Sequence, residues 1–286
     1  MSLVTSKEML LKAQREGYAV GAFNVENMEM VLAVIEAAEE VKAPVMLQTT
    51  PSTVKYASVD MYASMVKARA MASDMPVCIH LDHGTDCELV RRAIMAGYTS
   101  VMIDGSHSSF EDNIAKSKEV ADMAKKKGIP VEAELGKVGG KEDDLEASGD
   151  ANTDPMEAKE FVERTGVDSL AIGIGTAHGF YVGTPILDKE LISKVKEVVS
   201  IPLVLHGASG LSDEDISECV KRGICKVNFA TELRVAYTDA MKKLVKDAPD
   251  IFDPKKYGSV GMKAVKDLVK ERMAVCGCVE KAEYYP

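Results

Sequence analysis

The stretch 76-PVCIHLDHG-84 decides the fold. Pro76 opens it, apolar residues fill it and Gly84 frees the following turn, the pattern of a short buried strand. It ends in a carboxylate and an imidazole, Asp82 and His83. In parallel α/β proteins, active sites are built at the carboxyl ends of strands. An ionised Asp beside an imidazole is costly there unless it is used or satisfied. Alone, the pair reads as a capping Asp and a hydrogen-bonded His; the other histidines change that reading.

Outward from this stretch the chain alternates short β-branched runs with longer segments of helical period. The predicted strands are 19–25, 44–50, 76–84, 100–106, 130–136, 169–175, 202–208 and 224–230. Helices are expected near 5–16, 27–42, 58–73, 86–96, 110–127, 155–165, 188–199, 231–246 and 258–274. Eight strand–helix units without a break in composition predict a (β/α)8 TIM barrel. Residues 1–286 are read as one barrel domain, with 247–286 as a C-terminal helical tail. A doubly wound sheet is disfavoured because no Gly-rich dinucleotide fingerprint follows the first strand. The polar stretch 137–153 is long and Gly-rich, as lids over barrel sites often are.

Composition narrows the partners. A net charge of −10 argues against nucleic acid and against an anionic membrane surface. No apolar run spans a bilayer and no signal peptide is visible, so a cytoplasmic location is expected. The six cysteines lack the spacing of a disulfide framework or a zinc ribbon, and the one close pair, Cys276 and Cys278, is expected as free thiols.

Of five histidines, three precede a Gly just past a predicted strand: His83, His178 and His206. Barrel closure brings the third, sixth and seventh strand ends to one face, and three imidazoles with an open position describe a catalytic zinc site. His80, inside a strand, is read as a satisfied core histidine. His107 is left unassigned. Asp82, Asp104 and Glu134 end their strands in the same register, where a metal would offset the cost of burying them. Asp104 and Glu134 form either a second metal position or outer support for a ligand. The turn 206-HGASG-210 and the junction 228-NFATELR-234 suit phosphate, presenting backbone N–H groups before helices. Plain helix caps at Ser212, Asp213 and Thr231 would use the same geometry.

These motifs (80-HLDHG-84, 101-VMIDGSH-107, 131-VEAELGKVGGKEDD-144, 174-IGTAHG-179, 203-LVLHGASGL-211 and 225-CKVNFATELR-234) resemble the class II, zinc-dependent ketose-bisphosphate aldolases, nearest the tagatose-bisphosphate branch. The resemblance implies zinc on His83, His178 and His206, and a second divalent position lined by Asp104 and Glu134. It implies Asp82 as acid/base on the hydroxyl of the carbon that becomes the aldehyde. Glu142 matches a loop acid that moves a proton on the substrate carbon. Gly179, Gly207, Ala208, Ser209, Asn228, Phe229, Ala230 and Thr231 fall in the matching dihydroxyacetone-phosphate site. Backbone carbonyls near Gly179 and Gly207 match a monovalent cation site for Na+ or K+. The implied reaction is reversible cleavage of a ketose 1,6-bisphosphate into dihydroxyacetone phosphate and glyceraldehyde 3-phosphate through a zinc-stabilised enediolate. Many fructose enzymes carry Asp or Asn where this chain has Ala230, which fits the tagatose branch. Phe229 also departs from the family, where a smaller aliphatic residue is common.

The alternative substrate is fructose 1,6-bisphosphate. A Schiff-base aldolase would need a buried lysine of lowered pKa, for which Lys226 is the candidate. A non-catalytic stabilising subunit would lack ligands that this chain has. Members of the tagatose branch can depend on a separate stabilising subunit, so such a partner is open, as is a homodimer or homotetramer. The tail, with Tyr257, Val260, Met262, Val265 and Leu268, packs on the barrel or on a second subunit. Arg234 and Arg272 are candidates for the distal phosphate.

Overall fold

The computed structural model describes residues 3–283 apart from 143, 144, 148–151 and 182, and only the backbone of 141, 142 and 145–147. Along the chain it runs α1 (Ser6–Glu16), β1 (Val20–Asn24), α2 (Met28–Val41), β2 (Val45–Thr49), α3 (Pro51–Ala57), α4 (Val59–Ala70) and β3 (Val77–Gly84). There follow α5 (Cys87–Ala96), β4 (Ser100–Ile103), α6 (Phe110–Lys125), β5 (Val131–Leu135), β6 (Gly139–Glu142) and β7 (Leu145–Ala147). The remainder is α7 (Pro155–Thr165), β8 (Ser169–Ile172), β9 (Ala177–His178), α8 (Lys189–Val198), β10 (Leu203–Leu205), α9 (Asp213–Arg222), β11 (Ile224–Phe229), α10 (Thr231–Asp247) and α11 (Pro254–Val275).

Eight strands close into a parallel barrel in the cyclic order β1-β2-β3-β4-β5-β8-β10-β11. Each lies within one of the predicted runs, and every described barrel-strand residue is buried. Buried on both faces, such strands read as apolar runs rather than alternating ones. Side chains at most helix starts accept a backbone N–H: Asn27 from Met30, Asp86 from Leu89, Ser109 from Asp112 and Ser212 from Asp215. On the amino side of the barrel, α1 packs against β1 and β11, and Ser6 Oγ lies 2.8 Å from Ser100 Oγ.

Two segments differ from expectation. The helix expected near 58–73 is α4, and an additional helix, α3, precedes it, the two separated at Ser58, whose φ is 70°. Thr50 as N-cap and Pro51 in the first turn start the earlier helix, a signal the apolar period does not show. The polar stretch 137–153 contains the antiparallel pair β6–β7. In turn β6 pairs in parallel with β9, matching Gly139 to Ala177 and Gly140 to His178.

The tail packs on the barrel's own helices, with α11 against α2 and α10. Its glycines permit the approach: a Cβ on Gly261 would lie 2.4 Å from the Tyr237 ring, and one on Gly258 2.8 Å from Glu29. The six cysteines are free thiols. Among the described residues no helix is long and apolar enough to cross a membrane.

Gly261→Val should therefore destabilise the chain by about 1–3 kcal/mol through overpacking. Ser259→Val, at an exposed position of the same helix, serves as the comparison. Thermal melts that rank Ser259→Val as the worse variant would contradict this packing.

Candidate metal centre and active site

The site begins at the end of β3. Its pairing with β4 shifts register between Leu81 and Gly84, and His83 adopts a φ of 47°. A bulge of this kind re-aims side chains. Here consecutive residues both reach the barrel mouth. Asp82 bonds residues of β1 and β11, while His83 bonds Asp104 beyond β4. Gly84 is required below the turn, since a Cβ there would lie 2.4 Å from the Met102 carbonyl oxygen.

His83, His178 and His206 come together from β3, β9 and the end of β10. Ring centroids are 5.0 Å apart for His83 and His178, 4.7 Å for His83 and His206, and 6.0 Å for His178 and His206. One nitrogen from each ring lies within 4.8 Å of the other two, and a ligand atom each from His83, Asp104 and Glu134 meets the same limit. His83 Nε2 and His206 Nδ1 face one another at 3.0 Å.

The outer nitrogens of two rings are held by carboxylates. Asp104 Oδ2 sits 2.9 Å from His83 Nδ1, while its Oδ1 accepts from Ser106 N and Oγ at 2.9 and 2.8 Å. Burial would raise the Asp104 pKa, but the bond and charge of His83 and the Ser106 donors outweigh it and hold the carboxyl well below the usual range. Glu132 Oε1 lies 2.9 Å from His206 Nε2. Burial raises Glu132 as well, and the Lys226 charge and the histidines hold it low. For His206 burial lowers the pKa, and the bond to Glu132 and the Glu134 carboxylate close to Nδ1 reverse that, pushing the imidazole up to about 9.

The donor set fits a zinc ion. Three imidazoles converge with two rings already backed by carboxylates, the outer arrangement that metal-binding histidines use. Glu134 Oε2, 3.3 Å from His206 Nδ1, is buried without an aligned hydrogen-bond donor, as expected of an oxygen that meets a cation.

Asp82 is held by amides. Asn24 Nδ2 donates to its Oδ2 at 3.0 Å and Asn228 Nδ2 to its Oδ1 at 3.2 Å, while Gln48 Nε2 donates to Asn24 Oδ1 at 2.9 Å. Sequence reading missed Asn24, Gln48 and Glu132. The signal was present: each is a polar residue inside a strand otherwise read as apolar and buried.

A cleft beside the imidazoles is lined by Gly179, Gly207, Ser209, Asn228, Ala230, Thr231 and Arg234. No side chain caps α10; its N-cap is Ala230, with Thr231 as the first helical residue. Leu233 and Arg234 N–H turn back to the Ala230 carbonyl, but Thr231, which lines the cleft, starts the helix without the side-chain cap that Ser212 gives α9. Ser209 Oγ accepts from Ala230 N at 3.2 Å. Tyr181 Oη donates to the Gly207 carbonyl at 2.7 Å and accepts from Ala177 N at 2.9 Å, tying the two loops together; sequence reading missed this residue too.

Two predicted contacts do not present side chains here. Phe229 is buried, its ring stacked on Phe23 with centroids 5.5 Å apart, and Ala208 is buried as well. The side chain of Glu142 lies outside the described residues. Arg234 lines the cleft and bonds Glu26 at 2.7 and 2.6 Å, whereas Arg272 is held by Asp213 at 2.8 Å in the outer helices. His80 is a buried core histidine bonded to Ser100 Oγ at 2.7 Å, and burial and the Lys226 charge keep it neutral. His107 is exposed. The Schiff-base alternative fails on geometry, because Lys226 Nζ is fully buried and bonded to both oxygens of Glu132.

Breaking a carbon–carbon bond next to a ketone needs a cation at the carbonyl and a base at the neighbouring hydroxyl, and this mouth brings both kinds of group together. Such an architecture is that of a metal-dependent barrel aldolase. The chain belongs to the class II fructose-bisphosphate aldolase family, whose profile matches residues 4–281. It is 46% identical over 280 residues to the D-tagatose-1,6-bisphosphate aldolase subunit GatY of Klebsiella oxytoca, covering 97% of this chain and 99% of that one. The crystal structure of the YdjI aldolase of Escherichia coli K12 superposes with a TM-score of 0.88 at 40% identity, covering 98% of this chain and 100% of that one. The fructose-bisphosphate aldolase of Campylobacter jejuni, 22% identical with a TM-score of 0.83 over 98% of this chain and 97% of that one, shares the fold.

The raised His206 pKa makes the metal-free protein pH-sensitive. Its folded value of about 9 exceeds the ordinary 6.5, so it contributes stability fully present below about pH 6.5 and lost as pH rises through about 9. The melting temperature of chelator-treated protein should fall more steeply across that window than that of His206→Gln. Equal slopes would show that the imidazole is not so held.

Proposed function

We propose that the chain reversibly cleaves tagatose 1,6-bisphosphate into dihydroxyacetone phosphate and glyceraldehyde 3-phosphate, with zinc held by His83, His178 and His206. The observation that carries the reading is the buried, amide-held carboxylate of Asp82 on the residue next to His83. When bound, zinc supplies Lewis-acid polarisation of the substrate ketone. Asp82 accepts the C4 hydroxyl proton as the C3–C4 bond breaks, C4 becomes the aldehyde and the electron pair of the bond moves toward the ketone. Asp82 returns that proton in the condensation direction. The bonds from Asn24 and Asn228 leave the carboxylate aimed into the mouth without any need to reorganise.

Phosphate of the three-carbon fragment sits at the uncapped start of α10, against Gly179, Gly207, Ser209, Asn228 and Thr231. Holding it there reduces the entropy cost of condensation. Ala208, Phe229 and Ala230 contribute backbone and shape to this turn. Glu142 is assigned as the acid that moves a proton on C3, a role supported by the pairing of its strand β6 with β9, the strand of His178. His83, Asp104 and Glu134 form a second divalent position. A monovalent cation, Na+ or K+, at the Gly179 and Gly207 carbonyls would share the Gly207 oxygen with the Tyr181 hydroxyl.

Tagatose over fructose bisphosphate is favoured by Ala230 and by the GatY relative. That relative is named a subunit, which supports a separate stabilising partner in addition to a homodimer or homotetramer. A cytoplasmic location agrees with the six free thiols.

Side-by-side kcat/KM values for tagatose and fructose 1,6-bisphosphate, with zinc-loaded and chelated protein, test the reading. A tagatose preference abolished by chelator is expected. A fructose preference would reassign the substrate, and activity surviving chelation would remove the imidazole trio from the chemistry. Asp82→Asn should cut kcat by about 10²–10⁴-fold while retaining the fold and zinc. Near-normal turnover by that variant would rule Asp82 out as the base.

A further inference from the structure

Below the imidazole cluster lies a charged pair that the proposed reaction does not use. Glu132 of β5 and Lys226 of β11 are both buried. Lys226 Nζ donates to Glu132 Oε1 at 3.1 Å and to Oε2 at 2.9 Å. The same Oε1 lies 2.9 Å from His206 Nε2. A fully desolvated ion pair seldom gains stability over apolar packing of the same volume. Its placement against one nitrogen of one ring gives it a different use.

A neutral imidazole binds a metal through one nitrogen and carries its proton on the other, so whatever bonds the far nitrogen chooses the donor. His83 and His206 face one another through His83 Nε2 and His206 Nδ1. The far nitrogen of His83 is therefore Nδ1, which meets Asp104. The far nitrogen of His206 is Nε2, which meets Glu132. Two carboxylates, Asp104 beyond β4 and Glu132 on β5, thus meet different nitrogens of the two rings, Nδ1 of His83 and Nε2 of His206.

The geometry points to Glu132, clamped by Lys226, as the positioning residue that keeps the proton of His206 on Nε2 and so presents Nδ1 to zinc. The inference rests on the proposed reading of His206 as a zinc ligand. Lys226 has a separate share in it. Its ammonium bonds both carboxylate oxygens, which fixes the carboxylate plane and leaves Glu132 an acceptor with no proton to give. The nitrogen facing Glu132 must then be the donor. An amide in its place could turn its NH2 toward Nε2, which would shift the ring proton to Nδ1 and block the metal.

The first test uses the zinc-loaded, full-length wild type with 15N-labelled histidine, read by long-range 1H–15N correlation and assigned with single-histidine variants. His206 should show a coordinated Nδ1 and a proton on Nε2, and His83 the reverse. A His206 ring coordinated through Nε2 and protonated on Nδ1 overturns the inference and leaves the zinc reading standing. If neither ring is coordinated, the zinc reading fails and the inference with it.

The second test is the paired variant E132Q/K226M, which removes both charges together and leaves neither buried alone. Its zinc affinity, measured by competition with a chelator, should fall by about 10–100-fold. An affinity within about twofold of wild type overturns the inference. Should the paired variant fail to fold, the wild-type ring spectrum decides alone.

Discussion

Charge buried in a closed space is the constraint that organises this molecule. Asp82, Asp104, Glu132 and Glu134 all sit at or below the barrel mouth, out of reach of bulk water, and Lys226 is the one buried lysine among the described residues. Carboxylates in that number repel one another and are desolvated as well. Each is relieved in its own way. Amides hold Asp82, Ser106 and an imidazole hold Asp104, and the ammonium holds Glu132. Glu134 retains an oxygen with no aligned donor, in the one place where the ring nitrogens also converge. A divalent cation at that point satisfies oxygen and nitrogens at once, so the cluster is a demand for a metal as much as a receptacle for one.

The barrel supplies the means. Parallel strands deliver all their carboxyl ends to one mouth, so residues far apart in the chain meet without long side chains. The local devices are small: a register shift and one left-handed residue at the end of β3, an uncapped helix start after β11, and a tyrosine hydroxyl joining two loops. The start of α10 is the plainest of these devices, because α9 receives an ordinary serine cap while α10 starts with an alanine.

Much of this was legible in the sequence, for physical reasons. Strands buried on both faces produce unbroken β-branched runs, which is why all eight barrel strands lie within the predicted segments. Histidines at strand ends stand out because closure gives their positions meaning. Asn24, Gln48 and Glu132 were harder to see. They lie inside strands, face the barrel interior and act by hydrogen bonds to other residues, so nothing in their spacing marks them. The hairpin β6–β7 was masked by composition, since Gly, Lys and Glu are poor strand formers whose pairing here is set by the neighbouring β9. Phe229 is the reverse case: it stands among cleft residues in the chain, yet strand alternation turns its ring to the face opposite Asn228, onto Phe23.

The backbone at Ala177 and His178 lies in a slot walled by two other segments. A methyl group on Gly140 would stand 2.2 Å from the His178 carbonyl oxygen, and one on Gly207 2.7 Å from the Ala177 oxygen. Both glycines also have positive φ, 86° and 67°. The freedom of this chain to drift in sequence is therefore limited at positions that bear no functional group. A single added carbon at either wall would displace the His178 backbone and spoil the site without touching a ligand, an acid or a base. Inspection of the imidazoles alone would find nothing wrong with such a chain.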